Sequence, residues 1–173
     1  MHARAPRSKR NRRDRFWRRP LASLAAALFW AMLMGMSPAA ADPNLITKPS
    51  AYSAKETIER FERAVTAKGW VVFTEIDHAA AAAKVGLELK PRTVVIFGNP
   101  KLGTAPMQAT PTLAIDLPLK ALVWQDDAGK VWLSYNSADY LAQVYTRHGR
   151  TLLPDASNGI AQFLDDLSDQ ATK

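Results

Sequence analysis

The chain has 173 residues, no cysteine and a formal charge of +7, but the charge is not spread evenly. The first 41 residues hold nine Lys/Arg against one acid, so residues 42–173 carry 14 basic and 15 acidic residues, net −1. That balance excludes a basic footprint for nucleic acid, and the missing cysteine excludes disulfides, thiolate metal sites and cysteine nucleophiles.

The basic residues run from Arg4 to Arg19 and are opposed only by Asp14. Leu21 to Met36 follows without a charge, and Ser37-Pro38-Ala39-Ala40-Ala41 supplies small residues in an A-x-A arrangement. Basic, apolar and small-residue regions in that order predict a secretory signal peptide over residues 1–41, cleaved after Ala41 or at the neighbouring Ala39 or Ala40. At about 1.5 Å per residue the apolar stretch reaches roughly 24 Å, short of the roughly 30 Å bilayer core, so no stable membrane anchor is expected after cleavage. Asp14 and Arg15 separate Arg12-Arg13 from Phe16, which favours the general secretory route over the twin-arginine one. The expected product is periplasmic or secreted, a single domain over residues 42–173 whose stability comes from packing alone.

Leu45-Ile46-Thr47 predicts a first strand. Ser53 and Glu56 form a capping-box pattern for a helix in which Ile58, Phe61 and Val65 share a face, with Gly69 as its stop. Trp70 to Ile76 is β-branched and aromatic and predicts a strand. Asp77 is a good N-cap for the alanine run Ala79–Ala83. Thr93 to Phe97 is apolar throughout, as a central strand buried on both faces would be. Asn99 as N-cap and Pro100 at the first position open a short helix, and Thr110-Pro111 repeats the device for one more turn. Leu119 to Gln125 and Val131 to Tyr135 predict a hairpin around Asp126-Asp127-Ala128-Gly129. Ser137 caps a helix to about Arg147, and a last amphipathic helix is expected near Ile160 to Leu167, within about 158–169. Five strands and several helices in this order predict an α+β two-layer sandwich, a mixed or antiparallel sheet with helices on one face.

Four stretches in order, Glu75-Ile76-Asp77-His78, Ile96-Phe97-Gly98-Asn99-Pro100, Asp116-Leu117-Pro118-Leu119-Lys120 and Val131-Trp132-Leu133-Ser134-Tyr135-Asn136, resemble the hallmarks of the domain of unknown function 302 family. The resemblance covers about Thr47 to Arg147, with Arg150 to Lys173 outside it. It implies a small α+β domain, dimeric in habit, and no established activity or cofactor. Trp124 and Trp132, alternating with polar residues on the hairpin, also suit a homodimer contact, or else complete the monomer core.

His78 is the leading candidate, placed where a strand ends and a helix begins. A helix N-terminus favours a neutral imidazole, able to act as base, donor or ligand. The alternative is a histidine that holds the junction. If its strand neighbours the next one, His78 and Asn99 share a sheet edge. Asp116 and Lys120 can add opposite charges to the same pocket, or form an ion pair that fixes the proline between them. The expectation is a small-ligand-binding or sensing module with a polar site of His78, Asn99, Asp116 and Lys120. The alternatives are an enzyme with His78 as general acid–base, oriented by Asp116, and a structural or protein-interaction domain. His78 with Met107 would suit copper by ligand softness, a minor alternative. His148, at a helix end, is read as complementing the helix dipole. Signature motifs of P-loop, dinucleotide-binding, zinc-protease and serine-hydrolase proteins are absent from the sequence.

Overall fold

Five strands, β1 (Leu45–Pro49), β2 (Val71–Asp77), β3 (Arg92–Gly98), β4 (Leu119–Gln125) and β5 (Val131–Asn136), form one sheet in the order β1-β5-β4-β3-β2. Every neighbouring pair is antiparallel. The computed structural model describes residues 42–173, and the signal peptide expected over residues 1–41 lies outside the described residues. Between and after the strands lie α1 (Ala54–Ala67), α2 (His78–Ala83), α3 (Pro100–Ala109), a 3-10 turn (Pro111–Ile115), α4 (Ala138–Arg147) and α5 (Pro154–Thr172). The fold is α+β.

Strand periodicity decides the core. Val95 and Phe97 of β3, Ala121 and Val123 of β4, and Val131, Leu133 and Tyr135 of β5 alternate onto one face. There they meet Phe61, Ala64 and Val65 of α1 and Leu164, Leu167 and Ala171 of α5. Full burial of each valine, leucine or phenylalanine among them contributes about 1.5–3 kcal/mol relative to exposure. Phe61 meets Phe97 edge-on, centroids 5.1 Å apart at 83°, the arrangement the ring quadrupoles favour. The alternate residues Val94, Ile96, Leu122, Trp124 and Trp132 are only partly buried. The apolar run in β3 therefore does not mark a strand buried on both faces; its second side belongs to a half-exposed surface. On that surface Trp124 and Trp132 stack at 6.0 Å, and the Trp124 indole N–H donates to Ser134 Oγ at 2.9 Å.

The local punctuation works as the residue types require. Ser53, Asp77 and Ser137 each accept from a backbone N–H with a side-chain oxygen at the start of their helices. Gly129 takes φ +82° in the hairpin turn, a conformation open to glycine at little cost. The last helix is longer than its apolar stripe predicts, 19 residues from Pro154. Asn158 and Gly159 weaken its first half, but Ala171 and Thr172 are buried at its end, so tertiary contact outweighs local propensity there. Lys48 of β1 holds this helix through Asp165 and Asp169, at 2.6 Å each.

Candidate functional site

β3 ends in Gly98-Asn99-Pro100, and each residue has a mechanical reason. A Cβ on Gly98 would lie 3.2 Å from the Phe73 ring and 3.3 Å from Pro118, so glycine permits three segments to converge. Asn99 Oδ1 accepts from the Lys101 N–H at 3.0 Å. Pro100 then enters the first helical turn, where its missing N–H costs nothing.

The helix that follows, α3, is unusual. It has Gly103 and Pro106 in its interior and buries none of its own residues. Proline removes one intrahelical bond and glycine costs about 1 kcal/mol against alanine, so α3 has little stability of its own. Beneath it lies a cavity of about 330 Å³. Leu102, Gly103 and Met107 of α3 face it from one side. Trp70, just before the edge strand β2, Phe73 within it, and Leu141 and Tyr145 of α4 form the walls. Trp70 is fixed by stacking on Phe163 of α5, centroids 4.1 Å apart. Phe73 and Leu102 are 48% and 63% exposed, which places them at the mouth. No charged side chain lines the cavity. Burial pushes the Tyr145 hydroxyl up from its ordinary value, and the phenol O–H can donate a hydrogen bond. It has no hydrogen-bond partner among the described residues, and neither do the Trp70 indole N–H and the Asn99 amide nitrogen.

The base of this region is pinned by polar contacts from the end of α4. Arg150 Nη1 donates to Thr110 Oγ1 at 3.3 Å. His148 pairs through Nδ1 with Thr112 Oγ1 at 2.9 Å and through Nε2 with Asp116 Oδ2 at 2.6 Å. Arg147 Nη1 reaches Asp116 Oδ1 at 3.4 Å. The His148 ring hydrogen-bonding to Asp116, helped by the nearby Arg147 charge, holds this carboxyl below its ordinary value. With Nε2–H donating to the carboxylate, Nδ1 of a neutral ring accepts the Thr112 hydroxyl. The order hydroxyl, imidazole, carboxylate is that of an acyl-transfer triad. Thr112, however, lines neither this cavity nor its neighbour. The group acts as a clamp, tying the 3-10 turn to α4. His148, 7% exposed in its side chain, does more than face a helix dipole.

The four expected site residues do not converge. Asn99 is at the cavity. Asp116 and Lys120 line an adjoining hollow of about 190 Å³, which shares Pro118, Leu119 and Leu141 with it. They form no carboxylate–ammonium pair: Lys120 Nζ donates to the backbone oxygens of Asp116 and Pro118 at 3.2 and 3.0 Å. His78 is elsewhere. Its strand does neighbour β3, but the pairing is antiparallel, Asp77 opposite Thr93 and Val71 opposite Gly98. His78 therefore lies at the other end of β3 from Asn99, roughly 20 Å away at about 3.3 Å per residue. It is exposed, and Asp77 uses Oδ1 to cap Ala80 at 2.9 Å. Asp116 is engaged with His148 and cannot orient His78. Met107, at the cavity, is on the far side of the same strand length, so a His78–Met107 copper pair does not form. Among the described residues there is no group of three or more His, Cys, Asp or Glu placed to hold a metal ion.

The chain matches the model of the family described as domain of unknown function DUF302 over residues 46–170, further than the sequence hallmarks suggest and including most of α5. It is 45% identical over 116 residues to a protein named fluoride-specific ion channel FluC 1 of Brucella suis biovar 1 (strain 1330), covering 67% of this chain and 44% of that one. The likeness to FluC 1 of Brucella abortus biovar 1 (strain 9-941) is also 45% over 116 residues and covers 42% of that protein. The chain thus spans less than half the length of these relatives. The crystal structure of an uncharacterized conserved DUF302 protein from Bacillus stearothermophilus superposes with a TM-score of 0.64 at 19% identity, covering 75% of this chain and 99% of that one. At that identity the likeness shows the fold.

Proposed function

Since this chain belongs to the DUF302 family, whose description names no activity, its own geometry must supply the reading, and we propose an exported module that binds a small ligand in the cavity under α3. One observation carries the proposal. A helix that buries none of its own residues closes about 330 Å³ of space walled by apolar side chains, within the range of about 300–1,000 Å³ common to ligand pockets. A ligand there would give Leu102 and Met107 the apolar contact they lack, each Å² removed from water contributing about 25 cal/mol.

The test is native mass spectrometry of the purified protein beside Gly103→Leu, which adds a side chain at the cavity wall. The expected result is a small bound species on the wild type and none on the variant. The same bound species on both proteins, or none on either, would contradict the reading. The leader's composition supports export, and N-terminal sequencing of the accumulated protein should begin at Asp42. The stacked tryptophans on the half-exposed sheet face support a homodimer in which that face is covered.

A second reading follows from the relatives' name. No helix among the described residues is long and apolar enough to cross a membrane, while the matched relatives are named as ion channels. The domain would then serve an ion-handling membrane protein as its ligand-sensing part. Co-expression with such a channel and detergent co-purification tests this, and recovery of the two proteins separately would reject it.

A further inference from the structure

Resting on the reading of the cavity as a ligand site, we propose that its ligand is an uncharged, largely apolar molecule of about two fused rings.

Size gives the first limit. An engineered apolar cavity of about 150 Å³ accommodates benzene, and the space under α3, about 330 Å³, is roughly twice that. One ring would leave voids, with the loss of contact that voids bring. A longer body would extend past the mouth, where Phe73 and Leu102 are exposed.

Charge gives the second limit. The wall supplies aromatic faces from Trp70 and Phe73, a polarizable sulfur from Met107 and aliphatic surface from Leu117 and Leu141, with no ammonium, guanidinium or carboxylate. A buried ion without a partner is expensive enough that it stays in water. The ionic groups of the adjoining hollow are already engaged. Asp116 pairs with His148 and Arg147, and Lys120 is turned to backbone oxygens. The free polar groups at the wall are neutral donors: the Tyr145 hydroxyl, the Trp70 indole N–H and the Asn99 amide. They can satisfy one acceptor atom on an otherwise apolar body.

Shape gives the third. One wall is a flat ring held in place, Trp70 by its stack on Phe163, while the Phe73 ring lies against Gly98 at the mouth. A fixed flat wall selects a planar guest, since offset stacking needs a planar partner.

The test is isothermal titration calorimetry at neutral pH with two probes of similar ring size. Quinoline is uncharged there and has one acceptor nitrogen; 2-naphthoate carries a carboxylate. The wild type should bind quinoline at least about tenfold more tightly than 2-naphthoate, a difference of about 1.4 kcal/mol. Gly103→Leu should abolish quinoline binding, and Met107→Trp, which fills the same space from another position, should do likewise. Far-ultraviolet circular dichroism checks that each variant folds. Equal binding of both probes, lost in both folded variants, would overturn the ligand class and leave the cavity as the site. Quinoline binding that survives both folded variants would overturn the cavity reading itself. Binding of neither probe by the wild type would reject the ligand class, while the mass-spectrometric comparison would still decide whether the cavity is occupied.

Discussion

Leu102 and Leu141 line the same cavity from opposite sides, one on α3 and one on α4, so truncating each to alanine separates a cover from a core. Leu141 is 8% exposed and packs with Leu113 and Val144. Leu→Ala at a buried site costs about 2–5 kcal/mol. Leu141 already borders empty space on one side, so its loss should fall near the lower end, about 2–3 kcal/mol. For a domain of this size each kcal/mol lowers Tm by roughly 3–5 °C, giving a fall of about 6–15 °C. Leu102 is 63% exposed, and alanine is at least as good a helix former as leucine. Leu102→Ala should stay within about 0.5 kcal/mol of the wild type, less than about 3 °C. Calorimetric or circular-dichroism melts of the two variants give the comparison. A loss for Leu102→Ala as large as that for Leu141→Ala would show that α3 is part of the folded core, and the picture of a loosely held cover would fail.

His78→Ala should leave Tm within about 0.5 kcal/mol of the wild type, because an exposed side chain without a partner has little to lose, and quinoline affinity should not change; a fall of several degrees would mean that the ring holds the strand–helix junction. The lowered carboxyls of Asp116, held by His148, Asp126, held by the Trp132 indole, and Asp169, held by Lys173 and Lys48, contribute stability that is fully present above their unfolded value of 3.8 and is lost as pH falls through their lower folded values. Acid melts should therefore steepen below that value, and Asp116→Asn should flatten part of the limb; an unaltered limb would detach the clamp from stability. Glu62 shows the opposite sign, its carboxyl raised by burial and by a hydrogen bond with Glu75, so Glu62→Gln should raise Tm at neutral pH and lose that advantage in acid. Multi-angle light scattering at micromolar concentration should return a dimer mass for the wild type and a monomer mass for Trp132→Glu; a monomeric wild type would remove the dimer.

The strands and most helix starts are legible in the sequence because they rest on local chemistry. Ser53, Asp77, Asn99 and Ser137 cap helices by forming short hydrogen bonds within three residues, and the alternation in β4 and β5 needs only the pleat. The site is less legible because it is assembled at long range. His78 and Asn99 follow neighbouring strands, and the direction of pairing alone decides whether they share an end; antiparallel pairing sets them roughly a strand length apart. Asp116 and His148 are 32 residues apart in the chain, with no spacing rule that joins them. Trp70 and Phe73, at β2, and Leu141 and Tyr145, in α4, come from elements far apart in the chain and read individually as core. One signal was available: Pro100 to Ala109 has a helical start but a glycine and a proline inside and no continuous apolar stripe. Such a helix cannot gain its stability from packing into a core, and a cover over a cavity is a place where it serves.

Amide hydrogen exchange across α3, with and without quinoline, tests the binding role of the cavity most directly. A ligand that binds only the closed form at about 100 times its Kd should slow the exchange that proceeds through opening of α3 by about a hundredfold. The predicted result is slowing confined to Leu102 to Ala109 and the adjoining 3-10 turn, with α2 around His78 unchanged. Protection that appears at α2, or none in α3 at saturating quinoline, would contradict it.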